Sequence, residues 1–214
     1  MGLALHHLFW YREDPAFLER IVTGDESWCH HYESETKRDS MQWKHTSSPP
    51  PKKFKAMMSA GKVSLTVFFD IQGLLLVEFL EHRRTIKSDV YCETLRRLRR
   101  FIKNKRPGLL TEGVILLHDN ARHISSVTCA ELAKFKREQL NNPPYSPDIS
   151  PCDFHVFGPP KKHLKRKRFN SDGELKDAVK DWVSFRPQEF WEQGILRLVN
   201  HWDRCVQAYG VFFE

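Results

Sequence analysis

The stretch Gly113-Val114-Ile115-Leu116-Leu117-His118-Asp119-Asn120-Ala121-Arg122 joins an apolar run to a polar end. Val114 to Leu117 read as a short strand buried on both faces, and His118, Asp119 and Asn120 stand where it leaves its sheet. A carboxylate at the mouth of a buried strand is held by a stiff backbone, as a metal ligand or an acid–base group must be. A strand followed by an ordinary polar turn explains the same residues unless Asp119 has partners elsewhere.

Two other aspartates share its setting. Upstream, β-branched Ile21-Val22-Thr23 leads through Gly24 to Asp25, and Trp28 follows, so a strand runs through Asp25. Downstream, Asn142–Pro151 holds four prolines in ten residues, a rigid extended turn, and Asp153 follows it at the start of a helix. Three carboxylates brought together repel one another unless a cation neutralises them. Hard oxygen ligands suit Mg²⁺ or Mn²⁺ rather than zinc, and a pair of such ions supports in-line phosphoryl displacement.

Composition points the same way. The chain has 214 residues, 40% of them apolar, with six tryptophans, enough for one folded α/β domain with a real core. Its net charge of +7 suits a polyanionic partner. The excess is local: ten basic residues lie between Arg83 and Arg106 against only Asp89 and Glu93, and a second cluster runs from Lys161 to Arg168. Either cluster also fits a solvated helix face. Five widely spaced cysteines contain no C-x-x-C pair, which suits a reducing compartment. Cys29-His30-His31 and Cys152-x-x-His155 match no common structural zinc spacing. No apolar run approaches the roughly 20 residues of a membrane span. A nuclear location is expected, with Lys161–Arg168 as an entry patch.

The remaining elements frame these sites. Residues 1–20 read as the end of a helical linker interrupted at Pro15. Residues 33–55 are a long polar loop. Val63, Leu65, Val67 and Phe69 alternate, and a turn at Asp70–Gly73 leads to Leu74–Leu80, making a hairpin. A helix from Ser88 buries Tyr91, Leu95, Leu98 and Ile102 and stops at Pro107-Gly108. A helix is expected over residues 124–137 and a short strand at Gln139–Asn141. Ser171-x-x-Glu174 is a capping box, and a last helix opens at Pro187. Both final helices read as packing elements. A mixed sheet with helices on its faces satisfies the order.

The ordered set Val22-Thr23-Gly24-Asp25-Glu26-Ser27-Trp28, His118-Asp119-Asn120-Ala121-Arg122, Pro144-Tyr145-Ser146-Pro147-Asp148 and Cys152-Asp153-Phe154-His155 resembles the mariner branch of Tc1/mariner transposases, which includes the transposase part of SETMAR-type proteins. The resemblance extends to Glu214. It implies an RNase H-like α/β fold over residues 21–214 and a metal-dependent DNA transposase, acting by strand cleavage and strand transfer. Asp25, Asp119 and Asp153 would be catalytic and would hold two Mg²⁺ or Mn²⁺ ions. Residues 33–55 would be the family's clamp loop, placing Trp43 against a partner subunit of a homodimer, although a loop anchor on its own domain fits Trp43 equally. Expected DNA contacts are Lys52, Lys53, Lys55, Arg122, Lys161, Lys162, Lys165 and Arg166.

The chain also departs from the pattern. It begins after the family's helix-turn-helix region, which predicts mainly non-specific DNA binding and a truncated element. Arg122-His123 lacks an intervening proline, so Asn120–Cys152, at 33 residues, is one shorter than usual. Pro160 replaces a leucine and would kink or shorten a helix begun near Asp153. A catalytically inactive remnant that binds DNA or dimerises is therefore the alternative.

Overall fold

The computed structural model describes residues 2–32, 61–80, 88–118, 128, 132–133, 139–141, 146–165 and 167–209. A helix α1 (Gly2–Glu13) and a 3-10 turn (Pro15–Arg20) lead into β1 (Ile21–His30). The hairpin β2 (Lys62–Asp70) and β3 (Gly73–Leu80) follows, then α2 (Ser88–Lys105), the short α3 (Leu109–Glu112), β4 (Ile115–His118) and β5 (Gln139–Asn141). Beyond a 3-10 turn (Pro147–Ile149) and a π-helical turn (Cys152–Val156) come α4 (Gly158–Leu164), α5 (Asp172–Ser184) and α6 (Gln188–Gln207). The strands form one mixed sheet in the order β3-β2-β1-β4-β5, antiparallel from β3 to β1 and parallel from β1 to β5. This is the expected RNase H-like arrangement.

Period-two alternation divides the core between the two faces. Ile21, Leu65, Val67, Phe69 and Leu117 meet α1 and the C-terminal helices, whose Trp191, Ile195, Leu198 and Trp202 are fully buried or nearly so. Val22, Phe68, Leu76 and Leu116 meet Tyr91, Leu95, Leu98 and Ile102 of α2. The alternation at Val63–Phe69 predicts one buried face, yet every residue from Val63 to Asp70 is buried, because helices cover both sides. No described helix is long and apolar enough to cross a membrane.

Side chains close the local elements. Ser171 accepts the Glu174 N–H at 3.2 Å while the Glu174 carboxylate accepts the Asn170 N–H at 2.9 Å, so α5 starts on its capping box. Arg106, at the end of α2, donates from Nε and Nη2 to the buried Asp70 carboxylate at 2.7 and 3.1 Å, and Asp70 also accepts the Gln72 N–H of the hairpin turn. The expected clamp loop, with Trp43, and most of the expected helix over 124–137 lie outside the described residues. Thr128 and Leu132 within that helix are buried.

Gly24 faces Phe68 across the β1–β2 pair, and a Cβ there would stand 2.1 Å from the Phe68 ring. Phe68 is packed on the α2 side and has no room to retreat. Gly24→Ala is expected to lower stability by about 1–3 kcal/mol, the range for an overfilled core. A calorimetric melting curve matching the parent protein would refute that account.

Candidate active site

The site lies where β1 meets the π-helical turn. Asp25 sits on the same side of β1 as Ile21 and Cys29, half-buried, while Asp153 is exposed on the first turn after Pro151. Their carboxyl groups are within hydrogen-bonding reach of one another. The Glu26 N–H donates to Asp25 Oδ1 at 2.7 Å, and the Ser150 hydroxyl donates to Oδ2 at 3.4 Å. Burial and the charge of Asp153 push the Asp25 carboxyl up to about 8, the Glu26 N–H opposing them. The two acids thus compete to share a proton in the metal-free chain.

Such a pair fits a hard divalent cation. The two facing carboxylates offer hard oxygen ligands from separate rigid elements, and a cation would offset the burial and the repulsion that together raise Asp25. Among the described residues the pair is not extended to a group of three metal-ligating side chains. Asp119 lies outside the described residues, as do Lys52, Lys53, Lys55, Arg122 and Arg166. Parallel pairing matches Gly24 with His118, the residue before Asp119. Cys152 is buried beside the pair, and burial pushes its thiol well up, so it stays a small neutral neighbour.

The turn that carries Asp153 is a single π-helical turn, closed by the Phe157 N–H on the Cys152 carbonyl at 2.8 Å. Such turns interrupt helices at functional sites. It resolves the difficulty posed by Pro160. The helix does not run through from Asp153; it restarts at Gly158, so Pro159 and Pro160 fall in a first turn whose N–H groups have no intrahelical partner anyway. Pro160 leaves Asp153 facing Asp25.

Helix α6 fixes this turn, a role that a plain packing helix does not predict. His155 donates from Nε2 to the Phe190 carbonyl at 2.6 Å, which leaves Nδ1 to accept from Arg197 at 3.4 Å. His201 donates from Nδ1 to the Asp148 carbonyl and stacks on Phe154, with ring centroids 3.8 Å apart. Arg197 lies 5.6 Å over the same Phe154 ring. Gly194 makes room for this: a Cβ there would stand 3.0 Å from His155 and 3.2 Å from Phe69. The sequence signal was a glycine inside a buried helical stripe, where it costs about 1 kcal/mol against alanine. Gly194→Ala is expected to displace His155 and weaken Mn²⁺ binding severalfold while the chain stays folded. Unchanged Mn²⁺ affinity would remove α6 from the site.

The zinc spacing does not assemble. His31 Nε2 pairs with Asp172 at 2.7 Å, His155 is bound to α6, and Cys29 and Cys152 are buried. Lys161, Lys162 and Lys165 follow Asp153 on and just after α4; Lys162 is exposed and Lys161 lies 5.9 Å over the Phe157 ring. Glu26 takes the other side of the sheet, lining a small cavity of about 50 Å³ with Tyr91, Thr94 and Arg97.

Residues 33–112 match the family described as Transposase (partial DDE domain). The chain is 33% identical over 200 residues to human histone-lysine N-methyltransferase SETMAR, covering 92% of this chain and 29% of that protein. It is 32% identical over 204 residues to the mariner Mos1 transposase of Drosophila mauritiana, covering 93% of this chain and 58% of that protein. The crystal structure of the catalytic domain of Mos1 superposes with a TM-score of 0.81 at 29% identity, covering all of this chain and 93% of that one. The Mos1 paired end complex with Mn gives 0.90 at 30% identity over 62% of that chain. The chain thus spans less than two thirds of the curated relatives it matches. Fold and sequence together define an RNase H-like transposase domain of the DDE class. Within that class the chain belongs to the mariner type.

Proposed function

We propose that this chain is the catalytic domain of a DNA transposase that cleaves and joins phosphodiester strands, with Asp25, Asp119 and Asp153 as its catalytic carboxylates. The observation that carries the reading is the meeting of Asp25 and Asp153, from distant parts of the chain, in a half-buried setting that disfavours two bare charges. The register supports Asp119 as the third, since Gly24 pairs with His118 and the next residues are Asp25 and Asp119. Mos1 complexes have been solved with Mn and with Mg, which supports a divalent ion here. Bound as a pair, such ions would activate the attacking oxygen and stabilise the leaving one. The chain's own groups do the positioning. The Glu26 N–H and the Ser150 hydroxyl orient Asp25, α6 holds the turn of Asp153, and Lys161, Lys162 and Lys165 supply phosphate contacts beside it. Paired-end complexes of Mos1 support transposon-end DNA as the substrate class, and a homodimer would be the working form, as the family resemblance implies. The site of action would be the nucleus.

The test is nicking of supercoiled plasmid with Mn²⁺, with Mg²⁺ and with chelator. Nicking that needs the ion and disappears in Asp119→Asn is expected. Salt-sensitive DNA binding without any ion-dependent nicking would establish the inactive remnant instead.

A further inference from the structure

The exposed stripe of α2 has no part in the site above. Of the ten basic residues between Arg83 and Arg106, the seven described ones, from Arg96 onward, divide by what they touch. Arg97 is spent on Glu78, its Nη2 reaching Oε2 at 2.8 Å, and Arg106 on the buried Asp70. Arg96, Arg99, Arg100, Lys103 and Lys105 are exposed. Arg96, Arg99, Arg100 and Lys103 follow the three-and-four spacing of one helical stripe, about 10 Å long. Phe101, 39% exposed, adjoins the stripe, and the Lys105 ammonium lies 5.5 Å from its ring.

Like charges at this spacing destabilise a helix. The helix dipole favours Lys103 and Lys105 in the last turn but not Arg96, Arg99 and Arg100 before it. The acids on α2 are at its other end: Asp89 in the first turn, and Glu93, which lies 4.0 Å from Arg97. Glu112 on α3 lies beside Gly108, past the end of α2. Arg99, Arg100 and Lys103 form no ion pair among the described residues, and an exposed basic stripe of this kind matches a row of phosphates; its length approaches the ~12 Å width of the DNA major groove, so its ends can reach both bordering strands.

Its place in the fold separates it from the chemistry. The apolar side of α2 packs on the sheet face of Val22 and Phe68, whereas Asp25 is on the face of Ile21 and Phe69. The stripe therefore lies across the sheet and beyond a helix ~10 Å thick from the carboxylates. We propose that the exposed face of α2, through Arg99, Arg100 and Lys103, binds the phosphate backbone of a duplex DNA segment separate from the one at Asp25 and Asp153. The inference rests on DNA being what this chain acts upon. It adds a second contact surface that would hold flanking or target DNA while the first is cut.

The experiment is the salt dependence of binding to a labelled duplex, followed by fluorescence anisotropy, for the parent chain and for the triple variant Arg99→Gln, Arg100→Gln, Lys103→Gln. Each phosphate contact contributes about 0.9 to the slope of log K against log salt, so the slope should fall by about 2 to 3. Circular dichroism and Mn²⁺ affinity should not change, because these side chains are exposed and remote from the carboxylates. A parent-like slope overturns the α2 surface and leaves the carboxylate reading intact. Competition by polyglutamate as strong as that by DNA at equal charge also overturns it, assigning the face to an acidic protein. Absence of ion-dependent nicking in both proteins bears on the carboxylates alone.

Discussion

Asp25→Asn is expected to abolish ion-dependent nicking and, at the same time, to raise the melting temperature of the metal-free chain at pH 8. The loss should exceed about a hundredfold, the most that removal of a supporting partner of a metal ligand usually costs. The gain follows from the same geometry. At pH 8 the parent chain holds Asp25 near its midpoint, half-buried and facing Asp153, so ionisation there opposes folding. An amide keeps the shape, can still accept from the Glu26 N–H through its oxygen, and can donate to Asp153 from its nitrogen. Opposite signs for activity and stability separate a site built for a cation from a structural hydrogen bond. A structural role would make the variant less stable. Nicking equal to the parent would remove Asp25 from the mechanism altogether.

Much of this arrangement is legible in the chain because local pattern and tertiary burial agree. Val114–Leu117 reads as doubly buried and lies in or beside a strand flanked by two others; Ser171 and Glu174 announce a helix start and provide it. What sequence does not carry is which distant residues meet. From their own surroundings Asp25 and Asp153 are an ordinary strand aspartate and helix-start aspartate, linked in the sequence only by the family resemblance; in the structure the π-helical turn sets Asp153 against Asp25 of β1. Pro160 reads as a defect when the helix is assumed continuous, and becomes harmless once the chain changes its hydrogen-bonding pitch after Phe157. The basic residues of α2 look equivalent in sequence, yet Arg97 and Arg106 are ion-paired with Glu78 and Asp70, partners supplied by the neighbouring hairpin. The supporting role of α6 is hidden because Arg197 and His201 contact the Asp153 turn only through the fold.

Between pH 7 and pH 8 the metal-free chain should lose stability, and Mn²⁺ or Mg²⁺ should restore it. The sign follows from proton linkage. The Asp25 carboxyl is raised from 3.8 to about 8 on folding, so between those values the folded chain binds more protons than the unfolded one, and stability falls as pH rises. The buried histidines act in the opposite sense. Burial lowers His7 to about 4 and also lowers His155 and His201, so the unfolded chain binds more protons near pH 5 to 6 and stability rises with pH there. Their contribution is nearly complete by pH 7, close to the ordinary histidine value of about 6.5. Above pH 7 Asp25 dominates, at up to about 1.4 kcal/mol per pH unit, or roughly 3 °C in melting temperature for a chain of this size. A divalent ion competes with the proton for the same carboxylates, so its stabilisation should be small at pH 5.5 and large at pH 8. Subtracting the profile of Asp25→Asn cancels the histidines and leaves the site. An ion-induced shift of equal size at both pH values, or one that persists undiminished in Asp25→Asn, would place the cation somewhere other than between Asp25 and Asp153.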